Sequence, residues 1–258
     1  MGNLSETDGN RLGAEQEQPR ALIRRRKLYE DVALGIERLI NQRRYLPGDR
    51  LPSEKEIMNE FGVGRLAVRE AMLSLQKMGL VQVSSGERAK VTAPTADALV
   101  RELSGAARLL LAQDAGIKQF QDARTLFEVG LARIAAQRAT KEDLEALRDA
   151  LEANGRADNR PDFMRTDVAF HFAIATISRN PIFTSMYNAV VEWLTEQREI
   201  SGRGPDAGRA AFAAHTHIFD AIAGHDPTAA QIAMQEHLDQ VTKLYWEVKR
   251  SLEAETSG

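Results

Sequence analysis

The 258-residue sequence predicts a mainly α fold in two parts, with a small N-terminal domain that includes a β-hairpin and a larger all-helical bundle. Two observations predict this division. Residues 51–92 contain two short amphipathic stretches separated by glycine and followed by two short strand-like stretches. From Ala96 onward, apolar residues recur at the three-to-four spacing of helices, and no stretch alternates between apolar and polar as a half-buried strand does.

The first two helices of the N-terminal domain are marked by spacing and by a cap. Apolar residues at helical spacing from Leu28 to Ile40 predict a first helix, which stops before Pro47 and Gly48. Ser53 and Glu56 have the spacing of a capping box, which predicts that a short second helix begins there. Gly62 then permits the chain to reverse between this helix and the next.

The third helix carries Arg65 and Arg69, which are four residues apart and therefore project from one face. Its opposite face is apolar and would be buried. Strands over residues 80–83 and 89–92 follow, joined by a turn that contains Gly86. Three helices and a hairpin predict a winged helix-turn-helix. An exposed helix with forked donors fits the major groove of DNA, where arginine addresses guanine or phosphate.

Three ordered segments, Leu51–Lys55, Phe61–Arg65 and Val68–Ala71, resemble the GntR family of bacterial repressors. The resemblance implies that the protein binds double-stranded operator DNA. At Leu66 the sequence departs from the family, which usually has a small polar residue or proline there, and we expect this leucine to face DNA and alter base preference. The DNA-contacting set that the resemblance implies, with the wing tip included, is Lys55, Arg65, Leu66, Arg69, Ser85 and Gly86.

Three segments are predicted: a disordered N-terminal extension over residues 1–20, a DNA-binding domain over 21–93, and an effector-binding and dimerisation domain over 94–258. Pro94 lies at the predicted hinge. Residues 20–95 contain 15 Lys/Arg and 9 Asp/Glu, whereas residues 96–258 contain 18 and 24, so the basic part coincides with the predicted DNA-binding part. The run Arg24–Lys27 either lies along DNA phosphates or is a solvated run of charge.

The composition narrows the class of protein. The sequence has no cysteine, which excludes disulfides and thiolate metal sites and agrees with a cytoplasmic location. No signal peptide is visible, and no apolar run approaches the length of a membrane span.

The second part is predicted to be a bundle of six or seven helices. Asparagine or aspartate before proline, at residues 180–181 and 226–227, indicates helix starts, and Thr140 is a predicted N-cap. The predicted helices cover residues 97–111, 117–138, 140–155, 161–179 and 181–198, a stretch ending at residue 224, and residues 227–253.

Histidines and one aspartate mark the candidate site in this bundle. Asp167 and His171 are four residues apart on one predicted helix, so they point the same way. His215 and His237 lie on two later helices. One carboxylate and three imidazoles that converge would hold a divalent metal. The alternative is a histidine that is hydrogen-bonded in a polar cavity.

The bundle resembles the FCD effector domain of the FadR subfamily, through residues 167–171, 215–222 and 237–238. The resemblance implies that Asp167, His171, His215 and His237 hold a divalent metal, expected to be zinc, whose shell is completed by the carboxylate of an effector. It also implies that Arg124 binds this carboxylate, as bidentate geometry favours. The alternative role of Arg124 is an i,i+4 ion pair with Glu128.

Residues 79–91 and 180–183 resemble, within the family, repressors of sialic acid catabolism. The expected effector is therefore N-acetylneuraminate (sialic acid), with another sugar acid as the alternative. The expected protein is a homodimeric repressor that releases its operator when the effector binds. The rival classes are a metal-dependent enzyme and a DNA-binding protein with a purely structural metal. Against an enzyme, no His-Glu-x-x-His helix and no nucleophile elbow is present.

Overall fold

The computed structural model of the protein describes residues 27–84, 86–93, 95–101, 103–204 and 206–256. The predicted disordered extension, residues 1–20, lies outside the described residues, and so do Arg24, Arg25, Arg26, Ser85 and Pro94. Within the described parts of the chain, the fold is mainly helical with one small antiparallel sheet, which confirms the predicted fold class.

The N-terminal domain has three helices and a short hairpin, in the order that the sequence predicts. These are α1 (Leu28–Asn41), α2 (Glu54–Phe61), α3 (Arg65–Lys77), β1 (Val81–Gln82) and β2 (Lys90–Val91). Their shared core is apolar and buried, and its members include Val32, Ile36, Leu51, Ile57, Val68, Leu75, Val81 and Val91.

Local chemistry fixes the boundaries around the helix-turn-helix. The backbone N–H of Ser53 donates to Glu56 Oε2 at 2.7 Å, and the N–H of Glu56 donates to Ser53 Oγ at 3.3 Å, which is the predicted capping box. Gly62 ends α2 in the left-handed region, with φ 63° and ψ 34°, where a side chain would be strained.

The hairpin strands are shorter than predicted. Four residues were expected in each strand, but β1 and β2 have two, paired as Val81 with Val91 and Gln82 with Lys90. The reason is that the other edge of β2 also has a partner. The Gly48 N–H donates to Val91 O, and the Val91 N–H donates to Asp49 O, both at 2.8 Å. The segment after Pro47 therefore supports the hairpin from the opposite side, which the sequence analysis did not foresee.

The second part contains helices only, in the residues that the structure describes. They are α4 (Ala96–Arg101), α5 (Ser104–Leu111), α6 (Asp114–Arg138), α7 (Lys141–Gly155), α8 (Arg160–Ile177), α9 (Pro181–Trp193), α10 (Thr195–Ser201), α11 (Ala207–Ala223) and α12 (Pro227–Thr256). Helices α6, α8, α11 and α12 pack around a core whose buried members include Leu131, Phe170, Ile174, Ile218, Ile222 and Met234.

The predicted count of six or seven helices is wrong, because two predicted helices are each divided. The stretch 97–111 divides into α4 and α5, and this change of direction lets α5 contact α6 as well as α9. The stretch 181–198 divides at Leu194, whose side chain is buried and whose φ and ψ, −100° and 21°, leave the helical region. The break turns Gln197, Arg198 and Ser201 toward the interior.

Among the described residues, no helix combines the length and apolar character that crossing a bilayer would need.

Candidate functional site

Four predicted ligand residues converge at the centre of the helical bundle. Asp167 and His171 come from α8, His215 from α11 and His237 from α12, and one donor atom of each lies within 4.8 Å of the others. His215 Nε2 lies 3.2 Å from His171 Nε2 and 3.4 Å from Asp167 Oδ1. The three imidazoles are buried, whereas the Asp167 side chain remains 16% exposed.

Two further side chains contact the Nδ1 atoms of His171 and His215. Glu128, on α6, places Oε2 2.5 Å from His171 Nδ1. Asn154, on α7, places Oδ1 3.0 Å from His215 Nδ1. Its amide nitrogen donates to Thr166 Oγ1, which fixes which end of the amide faces His215. Because Asn154 presents an oxygen acceptor, Nδ1 of His215 carries the proton and its Nε2 lone pair points to the centre of the cluster. The nearby Glu128 oxygen favours the same tautomer for His171.

The electrostatics favour neutral imidazoles. Burial lowers the pKa of His215 to about 3, and burial also lowers the pKa of His237 well below its usual value. Burial alone would raise the pKa of Glu128, but Arg124 and His171 outweigh it and hold that pKa well below the usual range. The lowered pKa values favour neutral His215 and His237, and neutral imidazole is the form that binds a divalent metal.

A cavity of about 550 Å³ opens beside the cluster, and Asp167 and His237 form part of its wall. One side of the wall is apolar, with Phe163, Met164, Phe212, Val241 and Leu244. The remainder is polar and includes Arg124, Asn154, Asn159, Arg160, Arg198, Ser201, Asp206 and Arg209. The size lies within the range of small-molecule sites.

Arg124 forms the predicted ion pair and also lines the cavity, while its binding of an effector stays a prediction. Its Nε donates to Glu128 Oε1 at 2.6 Å, so the i,i+4 ion pair is present, and both side chains are buried. Arg124 also lines the cavity. A guanidinium has four N–H groups besides Nε–H, so pairing with Glu128 does not exhaust its donors.

Arg198 is a second buried guanidinium on the cavity wall, and the sequence analysis missed it. Its Nη1 donates to Val191 O at 3.0 Å, whereas Nε and Nη2 are buried without a hydrogen-bond partner. The available signal was its place four residues after Leu194, on the same face of a helix as this apolar residue.

The other two histidines lie away from the cluster. His217 is exposed and lines a separate groove between α11 and α12. His225 is exposed in a turn, with Nδ1 3.0 Å from Ala136 O.

The candidate DNA-contacting residues that the structure describes are all exposed. Lys55, Arg65 and Arg69 are exposed, and Leu66 is 72% exposed although it is a large apolar residue. Arg69 Nε donates to Glu54 Oε1 at 3.2 Å, an exposed contact that DNA phosphates or bases can replace. At the wing tip, Gly86 has φ +77° and is exposed, so its backbone can approach a groove closely.

Comparison with known proteins agrees with both halves. Residues 28–91 match the model for bacterial regulatory proteins of the gntR family, and residues 119–240 match the FCD domain. The chain is 41% identical over 223 residues to the HTH-type transcriptional repressor NanR of Escherichia coli K12, covering 85% of each chain. It is 42% identical over 246 residues to NanR of Cronobacter sakazakii, covering 93% of this chain and 91% of that one.

A solved structure of a Streptococcus agalactiae GntR protein is similar with a TM-score of 0.58 and 25% identity, over 83% of this chain and 99% of that chain.

Proposed function

This chain belongs to the GntR family of bacterial regulatory proteins, and we propose that it is a metal-centred repressor released from its operator by N-acetylneuraminate (sialic acid). It is a ligand-responsive transcriptional repressor and not an enzyme, since its relatives are regulators. The metal, the effector and a cytoplasmic site of action are the proposal. The convergence of Asp167 with three buried imidazoles beside the cavity carries it.

The donor set fits a divalent metal, which we take to be zinc. In a tetrahedral zinc shell with bonds of about 2.0–2.1 Å, two donor atoms lie roughly 3.4 Å apart. The separations of 3.2 and 3.4 Å around His215 Nε2 agree with this value. Glu128 and Asn154 supply the outer partners that orient metal-bound histidines. The metal would act as a Lewis acid that binds the effector carboxylate.

An anionic effector is favoured by the charge of the site. A divalent ion, Arg124 and Arg198 bring four positive charges, and the nearby Glu128 and Asp167 bring two negative charges. Low-dielectric surroundings make such an excess unfavourable, so a carboxylate that enters between them is stabilised. This supports an acid over a neutral sugar.

The choice of N-acetylneuraminate rests on the likeness to the NanR repressors, which the sequence resemblance connects with sialic acid catabolism. The cavity supports it, because a polyhydroxylated acid needs both polar partners, such as Asn159 and Ser201, and an apolar wall for its ring face and methyl group. Another sugar acid is the alternative, and a panel of such acids discriminates between them.

For operator binding, we propose that two chains associate through their helical domains and place two copies of α3 in successive major-groove segments. Arg65 and Arg69 would contact bases and phosphates, Lys55 would contact phosphate, and the wing tip at Gly86 would enter the minor groove.

The experiment that tests the effector site uses His171→Ala with His217→Ala as the matched control. Elemental analysis and fluorescence anisotropy on operator DNA are measured with and without N-acetylneuraminate. We expect His171→Ala to lose the metal and the release while it still binds the operator, and the exposed His217 variant to behave as wild type. A full metal complement in His171→Ala would place the metal elsewhere.

A further inference from the structure

Arg198 has the features of an anion-binding residue. It is only 7% exposed, it lies on the wall of the 550 Å³ cavity, and two of its three nitrogens have no partner. We infer that Arg198 receives the effector carboxylate in a bidentate contact and that it selects an acid over the corresponding neutral sugar. This inference rests on the proposed function of the cavity.

The identity of the unpartnered atoms carries the argument. In a guanidinium, Nε–H and one N–H of Nη2 point in parallel from the same edge, and this edge matches the two oxygens of a carboxylate. Those are the two nitrogens of Arg198 that are buried without partners. The third, Nη1, donates to Val191 O at 3.0 Å. The donor pair therefore has no partner, and since neither nitrogen has accessible surface, an effector carboxylate reaches it when the guanidinium turns toward the cavity.

The charge of Arg198 also lacks a counter-ion of its own. In the part of the chain that the structure describes, no aspartate or glutamate forms an ion pair with it. The nearby carboxylate of Glu128 is already shared between Arg124 Nε at 2.6 Å and His171 Nδ1 at 2.5 Å. Burial and the charge of Arg124 together lower the pKa of Arg198, so the folded protein holds this cation at a cost.

A purely structural role makes the opposite predictions. A small void lined by Arg124, Gln197 and Arg198 lies behind the cavity, and Gln197 Oε1 is also unpartnered there. If Arg198 served only to bridge this void, removing it would destabilise the fold and leave effector binding unchanged. If it serves the effector, removing an unsatisfied buried cation leaves stability unchanged or raises it, and effector binding is lost.

The test compares Arg198→Met with Arg250→Met, which removes an exposed arginine of α12 that does not line the cavity. The midpoint of denaturant unfolding is measured without effector, and metal content is checked. Affinities for N-acetylneuraminate and for its methyl ester are measured by calorimetry. The ester has the same sugar without the negative charge.

We expect Arg198→Met to retain its metal, to unfold at the same or a higher denaturant concentration, and to lose about 10- to 100-fold in affinity for the acid. Its affinity for the ester should be nearly unchanged, so the preference for the acid should fall by the same factor. Arg250→Met should keep the preference of the wild type.

The outcomes separate the inference from the proposed function. If wild type binds the acid and Arg198→Met binds it equally well, the inference is overturned while the proposed function stands. A fall in the stability of effector-free Arg198→Met also overturns it. If wild type does not bind N-acetylneuraminate, the proposed effector is wrong, and the inference fails with it because it concerns the carboxylate of that effector.

Discussion

Replacing Glu128 with glutamine should weaken metal binding by about 10- to 100-fold, although Glu128 is not among the four proposed ligands. Glu128 is 2% exposed and holds His171 Nδ1 at 2.5 Å, which keeps the lone pair of Nε2 directed to the metal. A neutral amide accepts more weakly, and its NH₂ end can compete for this position. The expected factor corresponds to about 1.4–2.7 kcal/mol of metal-binding free energy.

The same substitution should also lower the free energy of unfolding. Glu128 is the ion-pair partner of Arg124, and both side chains are buried. Removing one partner of a buried pair costs about 3–5 kcal/mol, because the other charge remains without compensation. The neighbouring cation of Arg198 adds to this imbalance.

The assay is chelator competition for the metal together with denaturant unfolding of the metal-free protein. Glu152→Gln is the matched control, since Glu152 forms an i,i+4 pair with Arg156 at 3.4 Å on the surface, with side chains 54% and 71% exposed. That change should alter stability by less than about 0.5 kcal/mol and leave metal affinity unchanged. Wild-type metal affinity in Glu128→Gln would refute the assignment of Glu128 as the residue that orients His171.

Four other predictions concern separate parts of the molecule. Metal-free protein should lose stability as the pH falls below 6.5, because folded His215 has a pKa of about 3 and the unfolded chain therefore binds more protons. This residue alone accounts for about 2 kcal/mol of unfolding free energy at pH 5. Denaturant titrations with chelator at pH 7.5 and 5.0 test this prediction, and higher stability at pH 5.0 would contradict it. Arg69→Ala, at a side chain 61% exposed, should weaken operator binding by about 1–3 kcal/mol without changing the fold, as measured by anisotropy against an unrelated DNA sequence. Leu66 should contact a thymine methyl, so replacing that thymine with deoxyuridine should weaken binding of wild type more than of Leu66→Thr. Asp97 accepts a hydrogen bond from Ser185 Oγ, so Asp97→Ala should bind N-acetylneuraminate normally but release the operator less when it does. Normal release would show that this hydrogen bond does not couple effector binding to operator release.

The sequence predicts the helices that carry their own start signals. Ser53 forms the expected capping box, Thr140 is the expected N-cap, and Asn180 and Asp226 accept hydrogen bonds from backbone N–H groups just after them. Leu194 gives no such signal, because leucine is a good helix former. The helix breaks there because the bend buries Leu194, and that depends on packing between distant parts of the chain.

The candidate site divides in a similar way. Spacing on one helix and resemblance selected the four predicted ligands, and the structure brings their donor atoms within 4.8 Å; whether they hold a metal remains a prediction. The residues behind them were not predicted, because each contact joins distant positions. Asn154 contacts His215, which is 61 residues later in the chain. Glu128, on α6, contacts His171 on α8. The ion pair between Arg124 and Glu128 is different, because its i,i+4 spacing is visible in the sequence.

The position of Arg198 connects the cavity to α9, and through it to α4 and α5, the helices that follow the N-terminal domain in the sequence. Helix α10 follows α9 after the single residue Leu194, and Arg198 also donates to Val191 O on α9. Helix α9 also contacts α4 and α5. Ser185 Oγ on α9 donates to Asp97 Oδ1 on α4 at 2.5 Å, and Trp193 Nε1 on α9 donates to Ser104 Oγ on α5 at 3.2 Å.

The energy that such a connection must carry is modest. A 100-fold change in operator affinity requires about 2.7 kcal/mol of coupling. A hydrogen bond to a charged group contributes about 1.5–3 kcal/mol, so losing the Ser185–Asp97 contact in one state only would supply most of it. We expect an anion that draws Arg198 into the cavity to displace α10, and α9 adjoins α10 through Leu194. The contact between α9 and α4 would then supply most of the coupling that release requires, without a rigid-body rearrangement of the whole bundle.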